Sequence, residues 1–172
     1  MSLTTFKKIL DNTPGNVDIH FSGFSELFFH PQAIEFIEEA LKNHAVVIYT
    51  TTNGMTQEVA DRLANYSFKE FHIHLNQKRS GVNIPFPVIY DVIDDTNRVS
   101  RGGNLWEVKD HEGTCLNSPA YRQNVVLPNG DTYLCCMDYG LKHKLGNLLE
   151  ENFNDLKRCG DYEICKKCEK FI

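Results

Sequence analysis

Apolar and polar positions over the first 75 residues switch repeatedly between two periods. From Thr4 to Leu10, Phe6, Ile9 and Leu10 share one helical face, and Pro14-Gly15 stops the segment. Val17-Asp18-Ile19-His20-Phe21 then alternates apolar with polar, as a strand does, and ends at Ser22-Gly23. A second helix is predicted from Pro31, a favoured first helical position, with Ala33, Ile34, Phe36, Ile37, Ala40 and Leu41 at helical spacing. Val46-Val47-Ile48-Tyr49 is a short apolar run of the kind found in parallel sheets covered on both faces. Thr50 to Gly54 closes that strand. Thr56 is placed to cap a third helix carrying Val59, Ala60, Leu63 and Ala64. Phe71-His72-Ile73-His74-Leu75 reads as the next strand. The order αβαβαβ predicts an α/β fold built on a parallel sheet with right-handed crossovers.

The rhythm then breaks. Asn76 to Pro87 is polar and proline-containing, Val88 to Ile93 reads as a strand, and Arg101-Gly102-Gly103 reads as a loop. Beyond Cys115, Val125 to Leu127 and Thr132 to Leu134 flank Pro128-Asn129-Gly130-Asp131, the pattern of a β-hairpin. A short helix is expected from about Asn152 to Arg158, ahead of the last cysteines.

Composition narrows the class of partner. At 172 residues the chain is long enough for one domain, or one domain with a small appended lobe. A net charge of −5 offers no basic footprint for nucleic acid. The one basic cluster, Lys166, Lys167 and Lys170, is interleaved with cysteines. No apolar run approaches the roughly 18 residues that read as a membrane span. Met1 to Lys8 lacks the apolar core of a secretory leader, so a cytoplasmic location is expected. In that compartment thiols stay reduced, and clustered cysteines bind metal more often than they pair. Six cysteines in a secreted chain would instead pair as bridges.

Four of the six carry the main chemical signal. Cys115 precedes the hairpin, Cys135 follows Gly130 with four residues between, and Cys165 and Cys168 form a CxxC. Four thiolates brought together by a hairpin and a tight turn suit an iron–sulfur cluster of the 4Fe-4S type. Zinc asks for the same four thiolates in a tetrahedron, and spacing alone does not separate the two. Cys136 alternates to the other face of its strand and reads as a small buried residue. Cys159 is left over, with a place as a substitute ligand open to it.

A second candidate site follows the first strand. Small-residue turns at the C-terminal ends of parallel strands are where α/β folds bind ligands. Gly23 permits close backbone approach there, and Glu26 is an acceptor for a ligand ammonium. The second strand ends on the same edge in Thr52-Asn53-Gly54. Taken singly, both segments also read as ordinary strand-to-helix turns.

Together these segments resemble the radical S-adenosylmethionine superfamily. Ser22-Gly23-Phe24-Ser25-Glu26, Leu27 with His30-Pro31, and Thr51-Thr52-Asn53-Gly54 look like its core. Ser100-Arg101-Gly102-Gly103-Asn104-Leu105 resembles the segment that precedes the auxiliary cluster in members with a SPASM or twitch domain. Cys115, Gly130 with Cys135, and Cys165 with Cys168 match the single-cluster twitch pattern; Cys135-Cys136-x-Asp138 and Leu145-Gly146-Asn147-Leu148 are similar to it too. The resemblance runs over nearly the whole chain. It implies a partial, open β/α barrel over 1–105 and a hairpin-plus-helix metal lobe over 106–172.

It also implies that Gly23, Phe24, Ser25 and Glu26 stand in the family's Gly-Gly-Glu-Pro turn, which meets the methionine amino group of S-adenosylmethionine. Ser25 replaces a glycine there and Leu27 the proline. Asn53 faces the same pocket, and Arg101 meets a carboxylate of cofactor or substrate, or is a surface arginine. In an intact parent the first cluster generates a deoxyadenosyl radical, while the auxiliary one accepts an electron or anchors substrate. The family's CxxxCxxC loop, which holds that first cluster, is absent, since the first cysteine is Cys115. Met1 is therefore expected to be an internal methionine of a longer enzyme, and the chain as given to be unable to start radical chemistry. A non-catalytic iron–sulfur or zinc module for electron transfer, binding or scaffolding is the alternative. Family substrates span peptides, sugars, nucleotides and small metabolites, and nothing in the pocket sequence chooses among them. Loss of a first strand would leave Val17 to Phe21 at an open sheet edge, covered by the N-terminal helix or paired with a second copy in a homodimer.

Overall fold

The structure is a computed structural model that describes residues 1–74, 81–92, 98–110, 123–157 and 162–168. Two compact units make up the chain: Pro14–Asn97 forms one, and Met1–Thr13 together with Arg98–Ile172 forms the other.

The first unit is a four-stranded parallel sheet in the order β1-β2-β3-β4, with β1 Ile19–Phe21, β2 Val46–Thr50, β3 Glu70–His74 and β4 Ile89–Asp91. Ile19 pairs with Val46, Val47 with Glu70 and His72 with Ile89, so every neighbouring pair is parallel. Helices α2 (Ala33–Leu41) and α3 (Gln57–Leu63) fill the crossovers. The apolar repeat of α2 is buried, with Ile37 and Ala40 fully so, and Val46, Ile48, Phe71 and Ile73 supply the sheet side of the core. Fully burying one such side chain contributes about 1.5–3 kcal/mol, so this repeat fixes the sheet register. Thr56 caps α3 as its sequence predicts, its hydroxyl accepting from the Val59 amide at 3.2 Å. Helix α2 starts at Ala33 and not at Pro31. The chain first turns through Leu27–Phe29, and the Gln32 amide donates to His30 Nδ1 at 3.1 Å before helical bonding takes over.

The second unit holds α1 (Leu3–Asp11) and a three-stranded antiparallel sheet of β5 Val125–Val126, β6 Asp131–Tyr133 and β7 Lys144–Asn147. The hairpin expected around Pro128–Asp131 is there, with Gly130 at φ +83 and its amide bonded to Leu127 O at 2.9 Å. Strand β7 has no counterpart in the sequence reading. The helix expected over about 152–158 is a single 3-10 turn, Phe153–Asp155. What ends it is the core: Leu156 is extended, with its side chain packed among Ile9, Leu145 and Leu148, while the Phe153 amide donates to Asn12 O at 2.8 Å. Asn12 also donates from Nδ2 to Leu148 O at 2.8 Å. Ile9, Leu145, Leu148 and Leu156 form that core, with Met1, Val126, Leu134, Leu149 and Phe153 around them. No helix among the described residues is long and apolar enough to cross a membrane.

Candidate cofactor and metal sites

The loops after β1 and β2 are joined by one carboxylate. Glu26 Oε2 accepts from the Thr51 amide at 2.7 Å and from Thr51 Oγ1 at 2.8 Å. Its Oε1 accepts from Thr50 Oγ1 at 2.7 Å and, more weakly, from the Phe28 amide at 3.4 Å. A carboxylate has about four lone-pair sites, and protein donors meet all of them. Thr50 Oγ1 in turn accepts from the Thr52 amide at 2.8 Å, which holds Thr52 at φ +63. Gly54, at φ +81, lies so close to the first loop that a Cβ would meet Phe28 O at 2.7 Å. Gly23 is different. It has φ +100, yet nothing lies within 4 Å of an added Cβ, so its dihedral and not its packing calls for glycine. Gly23, Phe24 and Ser25 are exposed, and Asn53 is half-buried on the second loop. Both loops stand at the C-terminal ends of parallel strands, where peptide groups are available to a ligand.

Arg101 belongs to the second unit. It has φ +55, and its Nη1 donates to Cys136 O at 3.5 Å. The turn it starts is closed by fully buried Ser100, whose Oγ accepts from the Gly103 amide at 2.8 Å. Asn104 Nδ2 reaches Met137 O at 3.5 Å, and Gly102 packs so tightly on Ile164 that a Cβ would fall 2.5 Å from its Cγ1. This turn therefore bridges the segments that carry Cys135-Cys136 and Cys165.

Of the cysteines read as ligands, Cys135, Cys165 and Cys168 are described, and Cys115 lies outside the described residues, as does Cys159. Cys165 lies in the short helix α4 (Glu163–Lys166) and Cys168 just beyond its end, with the Cys168 amide donating to Cys165 O at 3.2 Å. Burial pushes the Cys135 thiol up to about 12, against the amides of Met137 and Asp138, which donate to its sulfur and pull the other way. Neighbouring Cys136 and Cys168 push it further up. A thiolate at Cys135 therefore calls for a cation to offset its desolvation, and the two amides already there suit a metal-bound sulfur. Among the described residues, no three His, Cys, Asp or Glu side chains surround a common point fit for a metal ion. The turn after Cys135 is locked by buried Asp138, which accepts from the Lys142 and His143 amides at 3.1 and 2.8 Å. His143 Nδ1 is buried 3.2 Å from Asp138 Oδ1 without hydrogen-bonding geometry, and its ring meets Tyr162 edge-on at 5.1 Å.

One constellation was not read from the sequence. His72, His74 and Asp91 share one face of the parallel sheet, with His72 Nδ1 2.8 Å from Asp91 Oδ2. The signal was present as His72-x-His74 within a strand, where a spacing of two means one face.

No protein-family model matches the sequence, and no curated protein matches it. Solved structures do. The crystal structure of BtrN in complex with AdoMet and 2-DOIA superposes with a TM-score of 0.73 at 19% identity, covering 99% of this chain and 80% of that one. The selenomethionine form of BtrN in an open conformation gives 0.63 at 16% identity, with the same coverage. BtrN is a radical S-adenosylmethionine enzyme, so the mixed α/β fold with its four-stranded parallel sheet is one such an enzyme uses. At this identity the likeness establishes the fold and leaves the activity to chemistry.

Proposed function

We propose that this chain is a radical S-adenosylmethionine-type iron–sulfur protein whose second unit carries an auxiliary cluster of the twitch or SPASM kind. The observation that carries the reading is the BtrN fold, matched over 99% of the chain in a sequence whose cysteines keep cluster spacing. Cys135, Cys165 and Cys168, with Cys115, are the residues that would hold a 4Fe-4S cluster. When bound, such a cluster supplies one-electron transfer or an anchoring iron. Arg101 braces the Cys136 carbonyl and so orients the strand end that bears Cys135. The loop from Gly23 to Glu26, with Asn53, is the S-adenosylmethionine surface in this reading. Because the carboxylate of Glu26 is filled by its own loops, it shapes the turn, and contacts to the ligand fall to the exposed residues 22–25 and to Asn53. In this reading the four-cysteine cluster serves electron transfer or substrate anchoring, and initiation of a radical would fall to a CxxxCxxC loop, which these 172 residues do not contain. The edge of β1 is where a second copy would extend the sheet.

Anaerobic purification followed by iron, sulfide and zinc analysis tests this. Iron and sulfide are expected in equal amounts in the native chain, and both are expected to be lost when Cys165 and Cys168 are replaced together by Ala. A colourless protein holding one zinc per chain overturns the cluster assignment. Full metal retention in the double variant overturns the ligand set.

A further inference from the structure

Exposed apolar side chains in the second unit are confined to one place. Among the described residues of that unit, the large hydrophobics left open to solvent are Leu105, Trp106 and Tyr139, at 54%, 44% and 47% exposure. The turn that starts at Ser100 brings them together. Asn104, next to Leu105, donates from Nδ2 to Met137 O at 3.5 Å, and a Cβ at Gly140 would fall 3.1 Å from its Oδ1. Met137 and Gly140 bracket Tyr139, so the two segments meet where their apolar side chains stand open. The presentation is fixed: the Leu105 amide donates to Ser100 O at 2.9 Å, and Arg101, Gly102 and Gly103 run through φ +55, +64 and +79 in succession. Leu141, at φ +50, follows Tyr139 in the same left-handed region. Residues with a side chain sit there at a cost, and such outliers cluster at functional surfaces.

The same surface is basic in an acidic chain. The described segments 98–110, 137–144 and 162–168 carry seven lysines and arginines against four carboxylates, whereas the whole chain carries −5. One of the four, Asp138, is buried and spends its oxygens on backbone amides. Lys142 packs beside Gly140, and its exposed ammonium meets no carboxylate among the described residues. Lys167 lies along Gly103 and stands 3.9 Å from Asp110, an exposed and distant pairing that leaves its charge available. The two lysines thus flank the Gly103-Asn104 turn, and Leu105 and Trp106 follow it. An apolar centre with a charged rim is the make-up of a protein-docking patch. This one is built on the cysteine segments: Gly102 packs on Ile164, which precedes Cys165, Lys167 precedes Cys168, and Arg101 donates to the carbonyl of Cys136, which follows Cys135.

We propose that this surface is the docking site for a small, acidic, one-electron carrier protein. Carboxylates of the carrier meet Lys142 and Lys167, while the apolar edge of its redox centre covers Leu105, Trp106 and Tyr139. Interfaces of this kind are small, and complementary charge supplies much of the encounter rate. The choice of a carrier over a second copy of the chain or an acidic peptide rests on the cysteines, each of the three described ligands adjoining a residue that contacts this turn. The inference therefore rests on the function proposed above and names a partner for it. One electron leaves the reduced cluster and reduces the carrier's centre, with no bond formed or broken.

The test uses the anaerobically purified full chain and two small haem proteins of opposite charge, acidic cytochrome b5 and basic cytochrome c. Calorimetry gives the dissociation constant, and Trp106, the single tryptophan, gives one indole NMR signal that locates the contact. Cytochrome b5 is expected to bind saturably, to shift that signal, and to bind at least about tenfold more weakly at about 300 mM salt than at about 50 mM. Cytochrome c is expected not to bind. Lys142→Glu and Trp106→Ala are each expected to weaken cytochrome b5 at least about fivefold with iron and sulfide content unchanged, and Lys142→Glu to slow electron transfer from the reduced chain to ferric cytochrome b5. Lys42→Glu, on α2, is expected to change nothing. Equal binding of both cytochromes, cytochrome b5 binding that Lys142→Glu and Trp106→Ala leave as tight as in the native chain, or self-association that covers Trp106 and shuts cytochrome b5 out overturns the proposal. The two readings fail separately: salt-sensitive docking of cytochrome b5 on a chain that takes up no iron defeats the cluster assignment and leaves the surface, and a normal cluster without docking defeats this one alone.

Discussion

Replacing Glu26 by Ala removes the one group that ties the loop after β1 to the end of β2. Three short contacts are lost, two to Oε2 and one to Oε1, along with the long bond from Phe28. Hydrogen bonds to a charged acceptor contribute about 1.5–3 kcal/mol each, but they are not additive, and water reaches part of the vacated site. Thr50 is 2% exposed, so its hydroxyl gains little from water, whereas half-buried Thr51 recovers some. The expected loss is therefore about 2–4 kcal/mol. Glu26→Gln keeps one acceptor oxygen and turns an NH2 group toward the other donors, so about half of that loss is expected. Urea titration reads the change as a lower midpoint at unchanged slope. Hydrogen exchange at the Thr51 amide, which loses its carboxylate acceptor, is expected to quicken. A change below about 0.5 kcal/mol with native exchange at Thr51 would refute the latch, and would return Glu26 to the role its resemblance implies, a direct partner for a ligand ammonium.

Further outcomes follow from the same geometry. Gly54→Ala is expected to destabilise more than Gly23→Ala: both pay a positive-φ penalty of about 1–2 kcal/mol, but only at Gly54 does the new Cβ meet a backbone oxygen at 2.7 Å. Equal urea midpoints for the two would contradict this. Leu148→Ala, at a position 1% exposed in the second unit's core, is expected to cost about 2–5 kcal/mol and to speed exchange along α1; an unchanged α1 would show that Ile9 is not held there. His20 binds a proton less readily folded than unfolded, because of its burial. The unfolded chain therefore takes up more protons as pH falls below about 6.5, and His20's contribution to stability is full above that pH and declines beneath it. His20→Gln is expected to flatten that part of the urea-midpoint profile against pH, and a native profile in the variant would contradict the assignment.

How much of this was legible in the sequence depended on whether the signal was local. The αβαβαβ order shows in apolar periods within each segment, and Thr56 announces its own helix. Strand β7 escaped because Lys144-Leu145-Gly146-Asn147 has no β-branched alternation. It is a strand because Asp131, Thr132 and Tyr133 pair with it, and at Gly146 an added Cβ would fall 2.0 Å from Glu151 Oε1, which would have to move. The helix expected after Asn152 fails for a long-range reason as well, since Leu156 is drawn out extended into the core of Ile9, Leu145 and Leu148. The Glu26 latch is of the same kind. A glutamate in a turn reads as a free acceptor until Thr50 and Thr51, on the next strand, are brought against it. The cysteine spacing is plain in the sequence, and the structure adds the environment of Cys135: a half-buried thiol and a turn locked by Asp138.

The most direct test of the account is Mössbauer spectroscopy of the full chain, reconstituted anaerobically with isotopically enriched iron, alongside Cys115→Ala, Cys135→Ala, Cys165→Ala and Cys168→Ala. The spectrum of one 4Fe-4S cluster is expected in the native chain, lost or converted to a smaller cluster in each of the four variants and intact in Cys136→Ala. A native chain that takes up no iron, or a cluster indifferent to Cys135, Cys165 and Cys168, would contradict it.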